Sequence, residues 1–161
     1  MRLILIAWCI MVFCIDLAIT ADTICPRVWP AYQALSSIVN ITFIPYGNAK
    51  ELFRPETGLW QFYCQHGSDE CLGNIIHCAL KSSIDYDKIS TCTKSKLGND
   101  LQHQYALMTD ALQPQHTFVP WVTLNNEHTA KIQEQAEDNL IGLLCDTYKG
   151  SNIPDACKKS N

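Results

Sequence analysis

Nine cysteines in 161 residues bound what this chain can fold into, because of where they fall. Two of them, Cys9 and Cys14, lie inside an unbroken apolar run from Leu3 to Ile15, 13 residues that follow Arg2 and end at Asp16. Small residues come next, in Ala18-Ile19-Thr20-Ala21. A positive residue, a short apolar stretch and a small-residue site together describe a secretory leader, and the run is short for a membrane span, which needs roughly 20 residues. The expectation is a signal peptide over 1–21, cleaved after Ala21, and one mature domain over 22–161 with no membrane attachment; an uncleaved anchor is the alternative. Nine less two leaves seven cysteines: Cys25, Cys64, Cys71, Cys78, Cys92, Cys145 and Cys157. In an oxidising compartment such a set forms disulfides. The number is odd, so at least one thiol is free or pairs with another molecule.

Composition narrows the class. The chain is 47% hydrophobic and 17% charged, which suits a globular domain. Its formal net charge is -4 and it has no cluster of five basic residues, so a nucleic-acid partner is excluded for want of a concentrated basic face. Asn40-Ile41-Thr42 is a sequon with a permissive middle residue, which marks Asn40 as an exposed glycan acceptor in a secreted chain.

Hydrophobic spacing orders the elements. Trp29, Tyr32, Leu35 and Ile38 recur as on one face of a helix, with Pro30 in its first turn. Asn40 to Pro45 is β-branched and aromatic and reads as a buried strand closed by Pro45-Tyr46-Gly47-Asn48. Arg54 to Gly58 is a loop, and Leu59 to Tyr63 a second strand. Ser68 caps a helix carrying Cys71, Leu72, Ile75, Cys78 and Ala79; a weaker helix spans 84–97 and stops at Gly98. Leu101, Tyr105, Met108 and Leu112 share a further helical face. Phe118 to Leu124 reads as a strand headed by Pro120, Asn125-Asn126 as a turn, and Lys131 to Tyr148 as the last helix. The order predicts an α/β fold, a mixed sheet covered by helices.

The most specific signal is Cys64-Gln65-His66-Gly67-Ser68-Asp69-Glu70-Cys71-Leu72-Gly73-Asn74. Cys64, Gln65, His66, Gly67, Glu70, Cys71 and Asn74 stand at the spacing of the signature of the gamma-interferon-inducible lysosomal thiol reductases, which this chain resembles. Two more stretches are similar to that family: Asn40 to Ala49 and Thr109 to Val122. The resemblance implies a thioredoxin-like fold with a helical insert, and an oxidoreductase that reduces protein disulfides in lysosomes or after secretion. It implies disulfide-containing proteins and a small-thiol donor as partners, and no cofactor. The pattern also departs from the family. Three residues rather than four separate Asn74 from Cys78, and the region between Cys78 and Cys92 is shorter. Members open with a strand that runs into a Cys-x-x-Cys, or a variant keeping only the first cysteine; here Cys25-Pro26 sits four residues before Pro30, and Val28 stands where the second cysteine belongs. On this reading the first strand and the start of the active-site helix are missing, unless residues 18–24 supply the strand.

The chemistry that remains rests on few residues. A reductase of this kind attacks with a thiolate at a helix N-terminus and resolves the mixed disulfide with a second thiol. Cys25 is the one candidate nucleophile; the competing reading is a structural tail cysteine near a new N-terminus. The resemblance puts a substrate-facing cis-proline at Pro120. Cys145 and Cys157 flank Gly150 and Pro154, and a bridge between them would staple the tail to the last helix. The other cysteines read as structural; Cys64 and Cys71 as a redox pair instead is the lesser reading, because six intervening residues lack the coupling of a Cys-x-x-Cys. Cys71-His77-Cys78 and Cys64-His66 are only loosely zinc-like, so no metal is assigned. His66 is expected to bond the turn at Gly67, and His116 to support the Val119-Pro120 loop. The function expected is a weak thiol–disulfide oxidoreductase; the alternative, from another class, is a non-catalytic secreted binding or decoy protein, or a shortened isoform.

Overall fold

A computed structural model describes residues 1–6, 25–80 and 86–158, with side chains for 1–3, 27–74 and 90–158. Cys9 and Cys14, and the side chains of Cys25, His77 and Cys78, lie outside the described residues. The elements run β1 Arg2–Ile6, α1 Cys25–Leu35, β2 Asn40–Phe43, β3 Lys50–Arg54, β4 Leu59–Tyr63, α2 Ser68–Leu80, α3 Tyr86–Thr93, α4 Lys96–Asp110, β5 Trp121–Leu124 and α5 Ala130–Thr147, with a 3-10 turn at Asp155–Cys157. They fall into two compact units. Among the described residues one unit holds 1–5, 25–43 and 120–158, and the other holds residue 6, 44–80 and 86–119. The second is thus an insertion between β2 and β5. The fold is the mixed α/β, thioredoxin-like architecture with a helical insert.

The first unit carries a three-stranded sheet in the order β2-β1-β5. β1 and β2 are parallel, with Leu3 opposite Ile41 and Leu5 opposite Phe43. Parallel neighbours need a crossover, and α1 supplies it. The first strand is therefore present at Arg2–Ile6, overlapping the apolar run read as a leader; residues 18–24, the other place considered for it, lie outside the described residues. Leu3 is 0% exposed in a core with Val28, Ala31, Leu35, Val122, Leu140 and Leu144. Removal of residues 1–21 would take the middle strand away. All four residues of β5 are buried, which explains why its sequence, Trp-Val-Thr-Leu, shows little alternation.

Of the two helices of this unit, α5 buries the expected Ala136, Leu140, Leu143 and Leu144, whereas α1 corrects part of its expected face. Of the face expected for α1, Leu35 and Ile38 are buried, but its first half is displaced by one position: Val28 (4% exposed) and Ala31 face the core, whereas Trp29 is 56% and Tyr32 45% exposed. Both sets have helical spacing, and the position of the sheet chooses between them. The last helix, α5, is interrupted at Asn139 (φ −143°, ψ 78°), whose Oδ1 accepts from Gly142 N at 3.0 Å and so caps the second stretch. Asn125 and Asn126 form the turn after β5 with φ 53° and 69°, the left-handed pair that tight hairpin turns require. A disulfide joins Cys145 to Cys157 (Cα–Cα 5.2 Å) and fastens the 3-10 turn to α5.

The second unit is an antiparallel β3–β4 hairpin, Lys50 opposite Tyr63 and Arg54 opposite Leu59, packed with α2, α3 and α4. β3 was not legible as a strand, because Lys-Glu-Leu-Phe-Arg lacks a clean alternation. Gly98 does not end a helix. It sits in the first turn of α4, where Ser95 is the cap and its Oγ accepts from Gly98 N at 3.3 Å. A Cβ at Gly98 would lie 2.2 Å from the backbone oxygen of Cys92, so the glycine permits α3 and α4 to meet. The buried face of α4 is Gln102, Tyr105, Ala106 and Thr109. No helix among the described residues is long and apolar enough to cross a membrane.

Candidate functional site

The signature residues form a closed loop between β4 and α2. Cys64 and Cys71 are joined by a disulfide with Cα atoms 5.7 Å apart. Gly67 makes the turn within it at φ 93°, a conformation that L side chains rarely adopt. Glu70, buried in the first turn of α2, reaches back across the loop: its Oε2 accepts from His66 N at 2.7 Å and from His66 Nδ1 at 3.1 Å. A carboxylate placed there also meets the positive end of the helix. His66, expected to bond the turn at Gly67, bonds Glu70. Asn74, the last residue of the signature with a described side chain, is buried one turn further on.

Gln65 extends this loop into a chain of amides and imidazole. Its Oε1 accepts from Asn48 Nδ2 at 2.9 Å, and Asn48 Oδ1 lies 3.1 Å from His116 Nε2. Because the Asn48 amide nitrogen donates to Gln65, its oxygen is left to accept, and His116 donates through Nε2. His116 Nδ1 is then the bare nitrogen; it is buried with no partner among the described residues. His116 therefore serves Asn48, not the Val119-Pro120 loop. Each of the three stretches that resemble the family contributes one residue to this chain: Asn48, Gln65 and His116. Asn48 was not singled out from sequence, although it lies in one of those stretches.

The reactive-thiol candidate belongs to the other unit. Cys25 is the first residue of the 11-residue helix α1. It stands at a helix start, where the competing reading puts it in a tail. Its i+3 position is Val28, which is packed in the core. Asn40 begins β2 with its side chain exposed.

The segment around Pro120 is braced by α5. Gln133, buried, donates from Nε2 to Pro120 O at 2.9 Å and accepts from Val122 N at 2.9 Å through Oε1. His128 stacks on Trp121 with centroids 3.4 Å apart and donates from Nδ1 to Val122 O at 2.8 Å. The cis X-Pro bond among the described residues is Gln113–Pro114, not Val119–Pro120, so the expectation for Pro120 is corrected. An X-Pro bond adopts either isomer for a small energy difference, and its surroundings decide.

Comparison with known proteins places these features. A family model described as gamma interferon inducible lysosomal thiol reductase (GILT) matches residues 9–109. The chain is 35% identical to a gamma-interferon-inducible lysosomal thiol reductase of Carassius auratus over 84% of its own length and 69% of that protein's. It is 30% identical to the protein of that name in Mus musculus, over 81% of this chain and 63% of the other. A gamma-interferon-responsive lysosomal thiol protein of Arabidopsis thaliana is 30% identical over 78% of this chain and 64% of its own length.

Proposed function

Because the chain belongs to the gamma interferon inducible lysosomal thiol reductase family, we propose that it reduces protein disulfides with Cys25 as the attacking thiol and with low turnover. The observation that carries this reading is the place of Cys25 at the first position of α1. A thiol at a helix N-terminus is favoured as thiolate by the helix dipole. The thiolate attacks one sulfur of a substrate disulfide; that S–S bond breaks, a mixed disulfide forms, and the other substrate sulfur leaves and takes up a proton. A small thiol then displaces the second substrate sulfur, and a second one frees Cys25, so two donor thiols end as one disulfide. Low turnover follows from Val28, a buried apolar residue where an internal resolving thiol would stand.

The relatives' names support a secretory–lysosomal route for this chain. The leader reading of residues 1–21 bears on the fold, since a product that starts at Asp22 lacks β1. Terminal sequencing of the secreted product decides between the two forms.

The activity test is reduction of a denatured disulfide substrate near pH 5 with a small-thiol donor. Turnover is expected to vanish in Cys25→Ser. It should rise roughly tenfold or more in Val28→Cys, because an internal thiol acts at high effective concentration. Turnover that survives Cys25→Ser would overturn the assignment and point to Cys64 and Cys71. Inactivity of the parent and of Val28→Cys alike would favour the non-catalytic binding protein.

A further inference from the structure

The β3–β4 hairpin turns one face toward α4, and that face carries Glu51 and Phe53 from β3 with Phe62 and Trp60 from β4. Helix α4 grips it at two places one turn apart. Asn99 clamps the backbone of Trp60, accepting from its N at 2.9 Å and donating to its O at 2.7 Å. His103 lies flat on the Trp60 ring, centroids 3.8 Å apart and planes 12° from parallel, and donates from Nδ1 to Glu51 Oε1 at 2.7 Å. The side chains of His103 and Glu51 are only 23% and 13% exposed. The second carboxylate oxygen, Glu51 Oε2, is buried with no partner among the described residues.

We infer that Glu51 and His103 form a proton-operated latch that holds the hairpin on α4 more firmly in acid than near neutral pH. The charged and titratable neighbours set the sign. From α4, Asp110 acts on Glu51 with like charge; from the preceding segment the Tyr46 phenol, which burial and then Glu51 and Asp110 push well above its ordinary value, stays neutral and adds no charge. The hairpin's own β4 offers this face Trp60 and Phe62, which carry no charge. Lys50 and Arg54 point to the other face, where Arg54 bonds Gln61 and Tyr63. Lys96 and Asp100 on α4 pair with each other. With a neutral imidazole, the site therefore holds a largely buried carboxylate with one bare oxygen, an unfavourable state. One proton relieves it, and an imidazolium over Trp60 also gains a cation–π contact.

The carboxyl of Glu51 agrees with this sign. Burial pushes it above the ordinary carboxylate range, against the pull of the His103 bond and charge, and Asp110 adds to the rise. A raised value means that the folded state takes the proton more readily than the unfolded chain. The stabilisation is present in acid and is lost as pH rises through the folded value.

The test needs neither Cys25 nor turnover. Amide hydrogen exchange over residues 50–63, corrected for intrinsic rate, is compared at pH 5 and 7.5 for the parent, Glu51→Gln and His103→Asn. The parent's protection should fall severalfold between the two, because the folded state holds the proton more tightly than the unfolded chain. In Glu51→Gln, protection at pH 7.5 should match the parent at pH 5; in His103→Asn the fall should flatten. A parent profile that is flat or rises with pH overturns the latch. So does a fall that persists undiminished in Glu51→Gln, which decides the matter even if His103→Asn fails to fold.

Discussion

The two units of this protein are held together by different physics. The sheet unit is knit by apolar packing: Leu3, Val28, Ala31, Leu35, Val122, Leu140 and Leu144 close around one core. The inserted unit relies on directional polar contacts, with Asn99 on a backbone, His103 on Glu51, Glu70 across its loop and Asn48 between Gln65 and His116. The candidate nucleophile stands in the first unit, whereas the residues that most specify the family stand in the second. A motif can thus identify a family through the contacts that build a scaffold, at a distance along the chain from the thiol that does the chemistry. Apolar packing tolerates exchange of one aliphatic residue for another, while a bond between two polar atoms fixes both residue types.

Substitutions in each unit can break or sharpen this contrast. The largest loss should come from Leu3→Ala in a chain that retains residues 1–6. Removing a fully buried leucine should lower stability by about 3–5 kcal/mol, read from urea denaturation. An unchanged midpoint would show that β1 is dispensable and that the apolar-core account is wrong.

Next is the bridge between Cys145 and Cys157. Replacing both by alanine should cost about 2–4 kcal/mol, the scale for a loop of this length. Peptide mapping without reductant gives the independent check, and finding either cysteine bonded to Cys64 or Cys71 would refute the pairing.

In the inserted unit, Asn99→Ala should cost about 1–3 kcal/mol, because it strands both the N–H and the C=O of Trp60. Its effect should appear as faster exchange over residues 59–63. An effect as small as that of an exposed substitution would remove the polar clamp from the comparison. The smallest change is expected at Asn40. Its side chain is exposed, so Asn40→Gln should alter stability by less than about 0.5 kcal/mol. The same variant should lose the mass that glycosidase removes from the secreted parent; equal masses before and after enzyme would show the sequon unused.

Much of the element order was legible because it is local. Helical spacing marks 68–80 and 130–147, β-branched and aromatic runs mark 40–43, 59–63 and 121–124, and two asparagines mark the turn at 125–126. Local spacing was insufficient where two readings share one pattern. A run such as Leu3 to Ile6 has the same apolar content as a leader and as a strand buried on both faces, and only its neighbours β2 and β5 distinguish them. Nor can periodicity choose between two adjacent stripes of α1.

By itself the sequence determined the class of this protein: cysteine-rich, α/β, and a member of its family through residues at fixed spacing between 64 and 74. The tertiary structure alone decided that Arg2–Ile6 is the middle strand, that Val28 rather than Trp29 faces the core, and that Cys25 begins a helix. It also decided that Glu51 meets His103 and that Asn48 joins Gln65 to His116. Glu51 and His103 are 52 positions apart, and Asn48 and His116 are 68 apart. No local periodicity connects residues at such separations; they come within bonding distance only when hairpin, loop and helix have packed, and the cost of closing those long loops is met by burial elsewhere.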